Sequence, residues 1–253
     1  MADDYRNGIK AITAAARILE ALADAQKPVA LREIATSSRM APSKAHRYLA
    51  SFLATGLARQ DADTRRYALG PLSMRLGLAA LSSHQPLQDA IALQRKLRDQ
   101  LDETFVLSVW SGQGPTVVHV EESSQSIVMT MRAGAVLPML SSATGLVCAA
   151  FLPHHFTAPL TAKAFATQEA GVLARTPAAF EKLVKKVREQ GFGYNKGHLM
   201  PGVSALAFPL FDRTGTLFSV MAVMGRDEKL NPRTGASTRA FLMDVIRRFN
   251  ENH

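Results

Sequence analysis

The chain has one cysteine, one tryptophan and four tyrosines in 253 residues. A single thiol, Cys148, rules out an internal disulfide framework. It sits in the apolar run Leu146–Ala150, where packing is its expected role, and this usage suits a reducing cytoplasm. No apolar run reaches the roughly 18 residues that a membrane helix requires, since even Phe218–Gly225 ends at Arg226. Met1–Tyr5 offers no basic segment followed by an apolar one, so no secretory signal is expected. Catalytic signatures are missing as well. There is no Gly-x-Ser-x-Gly elbow, and neither Gly112–Gly114 nor Gly134 opens a phosphate-cradling glycine run. Cys148, His154 and His155 lack the spacing of a zinc site. Glu121 and Glu122, adjacent on a strand, point to opposite faces and cannot cooperate as an acid pair. The expectation is a cytoplasmic, non-enzymatic protein with no catalytic residue, no metal and no cofactor.

What is present is the composition of a folded protein, 47% hydrophobic and 20% charged, which sets disorder aside. The length allows one large domain or two ordinary ones. The formal net charge is +9 and unevenly spread. Residues 1–80 hold 12 Lys/Arg against 7 Asp/Glu, a net of +5, while the other 173 residues carry +4. A basic balance of this kind favours a polyanionic partner, nucleic acid above all, and the first third is where to seek the contact.

Along the chain, Ile12, Ala15, Ala16, Leu19, Leu22 and Ala23 recur at helical spacing and predict a helix over 10–25. A short helix follows over 31–38, with Leu31, Ile34 and Ala35 on one side. After the turn 39–42, a third helix over 42–55 starts on Pro42, whose missing N–H is not needed there. It buries Ala45, Leu49, Phe52 and Leu53 and stops at Gly56. Residues 57–69 read as two short strands around the polar turn Asp61–Thr64. Helix, helix, turn, helix and hairpin is the order of a winged helix-turn-helix, although a plain three-helix module with a hairpin has the same periodicity. The third helix separates the two. Its outward positions are Ser43, Lys44, His46, Arg47 and in part Tyr48, with no acid between Pro42 and Ala58. Such side chains reach phosphates and base edges from a helix in the major groove. Arg59, Arg65 and Arg66 lie in the adjoining wing, where arginine suits phosphate or a narrow minor groove.

At these positions the sequence resembles the IclR-type regulators. Leu31-Arg-Glu-Ile-Ala35, Ser43-Lys-Ala-His-Arg-Tyr-Leu49, Gly56-Leu57 and Arg66-Tyr-Ala-Leu-Gly70 follow that family's DNA-binding signature in order and spacing, and the likeness continues through the chain. Residues 1–70 form the expected winged helix-turn-helix and 71–86 a linker helix, with a break at Ser82–Pro86. Residues 87–253 then form the second domain. Its helix over 87–101 presents Leu87, Ala90, Leu93, Leu97 and Leu101. Strands are expected at 104–110, 116–121, 127–131, 205–210 and 217–223, and helices from 146, over 178–190 and over 233–250. This mixed order argues for an α+β domain on an antiparallel sheet, and the resemblance implies a GAF-like effector-binding fold.

A sensing site in such a domain is a mainly apolar cavity with a few polar groups. Ser141, Ser142, Ala143, Thr144 and Gly145 precede an apolar helix start, where unpaired backbone N–H groups can hold a carboxylate; a plain Ser/Thr helix cap has the same spacing. The resemblance tips this segment towards effector contact. It also points to an acidic group after Gly191-Phe192 and to polar residues on the two late strands, where this chain reads Asn195-Lys196-Gly197-His198, then Ala205, Ala222 and Met224. Those departures speak against a two- or three-carbon keto acid and for a larger effector such as an aromatic carboxylate. Ser108 and Trp110, two apart on a strand, share a face, where Trp110 serves either as a stacking wall of the cavity or as plain core packing. The expected partners are double-stranded operator DNA, a small organic acid and a second copy of the chain in a homodimer or tetramer, with no membrane. The competing reading is a stand-alone ligand-binding or enzymatic domain whose basic N-terminus serves assembly.

Overall fold

The computed structural model describes residues 9–25, 27–124, 131–167, 171–196, 202–230 and 235–253. The chain divides into two compact units, Met1–His84 and Gln85–His253.

In the first unit, α1 (Lys10–Asp24), α2 (Leu31–Ser37) and α3 (Pro42–Thr55) precede a hairpin of β1 (Ala58–Gln60) and β2 (Tyr67–Leu69), then α4 (Pro71–Ser82). Ile18, Leu22, Val29, Ile34, Ala35, Ala45, Leu49, Phe52, Ala58 and Tyr67 close one core. Val29 extends the hairpin through two backbone bonds with Tyr67, of 2.9 and 2.8 Å. Gly56 ends α3 in the left-handed conformation, φ 77°. Gly70 is fixed by close approach: a Cβ there would stand 2.3 Å from the Gly56 carbonyl oxygen and 2.7 Å from that of Ala58. The expected apolar stripe of α1 is half wrong. Its buried residues are Ala14, Ile18 and Leu22, while Ile12 is 67% exposed. The helix carries two apolar stripes, and α2, α3 and β2 cover only one. Leu53, expected in the core, is also exposed, and α4 buries none of its residues although Met74, Leu76 and Leu78 lie on it.

The second unit begins with α5 (Gln85–Leu101) and continues β3 (Thr104–Trp110), β4 (Pro115–Glu121), α6 (Ala143–Phe151), α7 (His154–Ala166), α8 (Pro177–Gln190), β5 (Gly193–Lys196), β6 (Val203–Phe211), β7 (Leu217–Arg226), α9 (Asp227–Leu230) and α10 (Ala236–Asn252). Its sheet is antiparallel throughout, in the order β4-β3-β7-β6-β5. The helices α6 and α8 pack one face with Leu146, Val147, Phe180, Val184 and Val187, and α5 and α10 meet the strands as well. Strands covered on both sides lose alternation, and β6 and β7 are buried almost continuously. The helix α6 is apolar all round because it is enclosed all round, with eight of its residues buried. It starts at Ala143, three residues before the expected Leu146. The helix α7, interrupted in pattern by Pro159, and the short strand β5 were not expected at all. Of the strand expected at 127–131, residues 127–130 lie outside the described residues. No helix among the described residues is long and apolar enough to cross a membrane.

Candidate functional site

The surface of α3 follows from its start. Pro42 opens the helix, Ala45, Leu49 and Phe52 turn inward, and Ser43, Lys44, His46 and Arg47 are left exposed with Tyr48 half-buried. Arg39, in the tight turn before the helix, is exposed with φ 54°. It belongs to the same basic surface and went unremarked in the sequence because turn residues carry no periodicity. At the wing, the Asp61 carboxylate accepts from Thr64 N at 2.8 Å and Thr64 Oγ1 at 2.7 Å. These bonds, the hydroxyl's first, hold its pKa below the usual carboxylate value. The turn they pin presents Arg65, exposed at φ 56°. Arg66 behaves differently. Its Nη1 donates to the Pro28 carbonyl at 3.3 Å and lies 3.8 Å from Glu33, so it braces the wing against the start of α2.

In the second unit the residues expected at the effector share one sheet face but not one spot. Thr104, Met224, Ala205 and Asn195 form a row across β3, β7, β6 and β5. Val106, Ala222 and Ala207 form the next row, Val117, Ser108 and Val220 the third, and Trp110 with Pro115 the fourth. At about 3.4 Å per residue, the first and last rows stand roughly 20 Å apart along β3. The alanines, Met224 and Trp110 all belong to the apolar cluster beneath α6. The start of α6 meets the first row, where Asn195 Nδ2 donates to the Ser141 carbonyl at 2.5 Å. Ser142 is the cap of α6: its Oγ accepts from Gly145 N at 2.9 Å and donates to the Pro138 carbonyl at 2.6 Å. Gly145 lies where a Cβ would come within 2.5 Å of the Met139 carbonyl oxygen. That leaves the N–H groups of Ala143 and Thr144, which a first helical turn does not use itself, as the donors facing outward along the helix axis. His198 lies outside the described residues. A separate open groove of about 950 Å³ runs past Phe151, Phe208, Phe211, Met243 and Ile246, and none of the expected effector residues lines it. Two of its polar side chains are spent on backbone: Arg188 donates to the Ala150 carbonyl at 2.6 Å, and Asn250 to that of Pro209 at 3.1 Å. Cys148, buried in α6, has its thiol pushed up to about 12 by burial.

A helix-turn-helix with an exposed basic helix, ahead of an antiparallel sheet with an enclosed face, has clear counterparts among known proteins. The description "IclR helix-turn-helix domain" matches residues 11–62, and "Bacterial transcriptional regulator IclR C-terminal" matches residues 78–248. The chain belongs to the IclR family of bacterial transcriptional regulators. This IclR-family regulator is 29% identical to the glycerol operon regulatory protein of Streptomyces griseus, over 91% of its own chain and 90% of that protein. It is 38% identical to the HmgR of Pseudomonas aeruginosa, whose crystal structure it matches with a TM-score of 0.68 over 96% of its own chain and 99% of the other. An IclR homologue of Microbacterium hydrocarbonoxydans, solved with 4-hydroxybenzoate, shares the fold at a TM-score of 0.70 and 17% identity, covering 94% and 95% of the two chains. The family is one of DNA-binding regulators with an effector domain, so the enzymatic reading is set aside.

Proposed function

We propose that this regulator binds double-stranded operator DNA through α3 and the wing, and that an organic acid, an aromatic carboxylate in particular, acts on the effector domain. The observation that carries the DNA reading is the exposed acid-free face of Ser43, Lys44, His46 and Arg47, flanked by Arg39 and Arg65. Tyr48 borders it, and Arg66 braces the wing through Pro28 and Glu33. Contacts from such a face to phosphate orient the helix, and contacts to base edges select the sequence. The protein acts where the DNA is, in the bacterial cytoplasm. The bare apolar side chains of α4, with Ile12 on the outer stripe of α1 and Ile9 just before that helix, suit a second copy. A two-fold assembly, dimer or tetramer, matches a palindromic operator. A gel shift against the DNA upstream of its own gene tests the reading; no shift beyond that of unrelated DNA would refute it.

The aromatic reading rests on the apolar side chains of Ala205, Ala222 and Met224 beside the start of α6. Ser141, Ser142, Ala143, Thr144, Gly145 and Asn195 supply the polar end, with His198 as a further candidate. A ring gains about 0.8 kcal/mol for each methylene-sized piece buried, and a wall without polar groups spares it the cost of leaving donors unpaired. That the homologue solved with 4-hydroxybenzoate shares this fold supports the same direction. Calorimetry with benzoate, pyruvate and glyoxylate decides it: tighter binding of the keto acids would overturn the aromatic reading and leave DNA binding untouched.

A further inference from the structure

Among the described residues, three buried side-chain polar atoms have no hydrogen-bond partner: Arg98 Nε, Ser108 Oγ and Trp110 Nε1. Arg98 is a surface arginine whose terminal nitrogen reaches Asp99 at 3.2 Å. The other two belong together. Ser108 is 1% exposed, and it pairs across the sheet with Val117 and Val220, both in the cluster beneath α6. Trp110 follows two residues later on the same strand and packs on the same cluster. Side chains two apart on a strand stand about 7 Å from each other on one face. Two donors on one apolar sheet face without partners require an explanation, because folded proteins rarely leave such groups unmet.

We infer that Ser108 and Trp110 are the specificity-determining contacts for a neutral oxygen on the effector's ring, a hydroxyl above all; this rests on the aromatic-acid reading. The chemistry selects the group. An indole N–H only donates, whereas a serine hydroxyl donates and accepts. A ring hydroxyl matches both: its oxygen accepts from Trp110 Nε1, and it exchanges a second hydrogen bond with Ser108 Oγ. A carboxylate matches poorly. Val106 on the same strand face and Val117 and Val220 across the sheet flank Ser108, and burying an anion among such side chains is disfavoured. Trp110 then acts through its N–H rather than as a stacking wall.

The test is calorimetry of the full-length protein with benzoate, 3-hydroxybenzoate and 4-hydroxybenzoate. A site built to hydrogen-bond a hydroxyl discriminates strongly against the analogue that lacks it. The better hydroxybenzoate is expected to bind at least about tenfold more tightly than benzoate. Ser108→Ala and Trp110→Phe should each bring that ratio towards one. Ser108→Ala should also leave the thermal midpoint of the unliganded protein unchanged or raised, since it removes an unmet group; a drop would mean that the hydroxyl has a structural partner. A wild-type measurement needs no variant. Trp110 is the only tryptophan in the chain, so its indole N–H gives one proton resonance, expected to move downfield with the hydroxybenzoate and not with benzoate. Equal binding of benzoate and both hydroxybenzoates, or a preference that survives both substitutions, overturns this inference and leaves the aromatic reading standing. Failure of every ring acid to bind, beside binding of pyruvate or glyoxylate, overturns both.

Discussion

The sites proposed for the two units lie in opposite places. In the first, the groups that matter stand outside a small core: Ser43, Lys44, His46 and Arg47 are what Ala45, Leu49 and Phe52 leave in solvent. In the second they stand inside, on a sheet face closed by an apolar helix, where Ser108, Ala205, Ala222 and Met224 come from three strands and share a face only through the fold. A surface site and a core thus share few residues in one unit and nearly coincide in the other. Substitutions should therefore separate binding from stability in the first unit and mix them in the second.

The sharpest probe of the closed interior is Cys148. With its thiol pushed up to about 12 by burial, it holds roughly a thousandfold less thiolate than an ordinary cysteine near pH 8. Alkylation by iodoacetamide is expected to be slower than for a free thiol by about that factor, and to become fast in denaturant. Labelling at the free-thiol rate in the native protein would show that α6 is not enclosed. Next in size is Gly145→Ala, whose new Cβ would lie 2.5 Å from the Met139 carbonyl oxygen and 2.6 Å from that of Pro138. Backbone stands in the way, not a movable side chain, so the start of α6 must shift. A loss of about 3 kcal/mol in urea unfolding is expected, together with weakened effector binding. An unchanged midpoint would break the claim that site and core coincide there.

Arg47→Ala is the counterpart in the first unit. It is expected to weaken operator binding about tenfold and to shallow the salt dependence by roughly one unit, with stability unchanged within about 0.5 kcal/mol because the residue is exposed. Arg65→Ala should act the same way. Arg66→Ala should differ, with little change in salt slope, because its guanidinium is turned towards Pro28 and Glu33. Equal slopes for the Arg65 and Arg66 variants would contradict the structural distinction between them.

The same contrast explains what was legible in the sequence. In the first unit local rules suffice: Pro42 opens α3, Gly56 closes it, and helical spacing sorts Ala45 from Lys44. The errors at Ile12 and Leu53 arise where a helix has more apolar surface than its neighbours cover. Periodicity reports an apolar stripe but not whether anything packs on it. In the second unit four of the sheet's five strands were visible and their company was not. Ser108 and Trp110 were rightly placed on one face, yet nothing local reveals that Asn195, Ala205 and Met224 form a row at the far end of it. The Ser142 cap was spelled out by its spacing to Gly145, whereas the closeness of Gly145 to the 138–139 backbone is a tertiary fact. The Arg66 contacts to Pro28 and Glu33 were invisible in the sequence because those partners are remote along it.

The smallest effect concerns pH and again belongs to the second unit. Gln94, fully buried on α5, donates through Nε2 to the Phe105 carbonyl of β3 at 2.7 Å. That fixes the amide, so its Oε1 is the acceptor facing His119 Nδ1 at 2.9 Å, and Nδ1 carries the ring proton in the neutral tautomer. Burial pulls the His119 pKa below its ordinary value; Glu121, 3.6 Å from Nε2, works against this, and Arg95 works with it. A histidine whose folded pKa is depressed binds its proton more readily in the unfolded chain. Stability on its account is therefore complete above the ordinary histidine pKa of about 6.5 and declines as pH falls through it. Because the ring remains partly in solvent, the decline between pH 7 and 5.5 should be small, about a degree in the thermal midpoint. His119→Gln removes the titration and should flatten that slope while leaving the midpoint near pH 8 lowered by the altered contact with Gln94. A steeper slope in the variant would mean that Glu121, not burial, governs His119, with the sign of its pH dependence reversed.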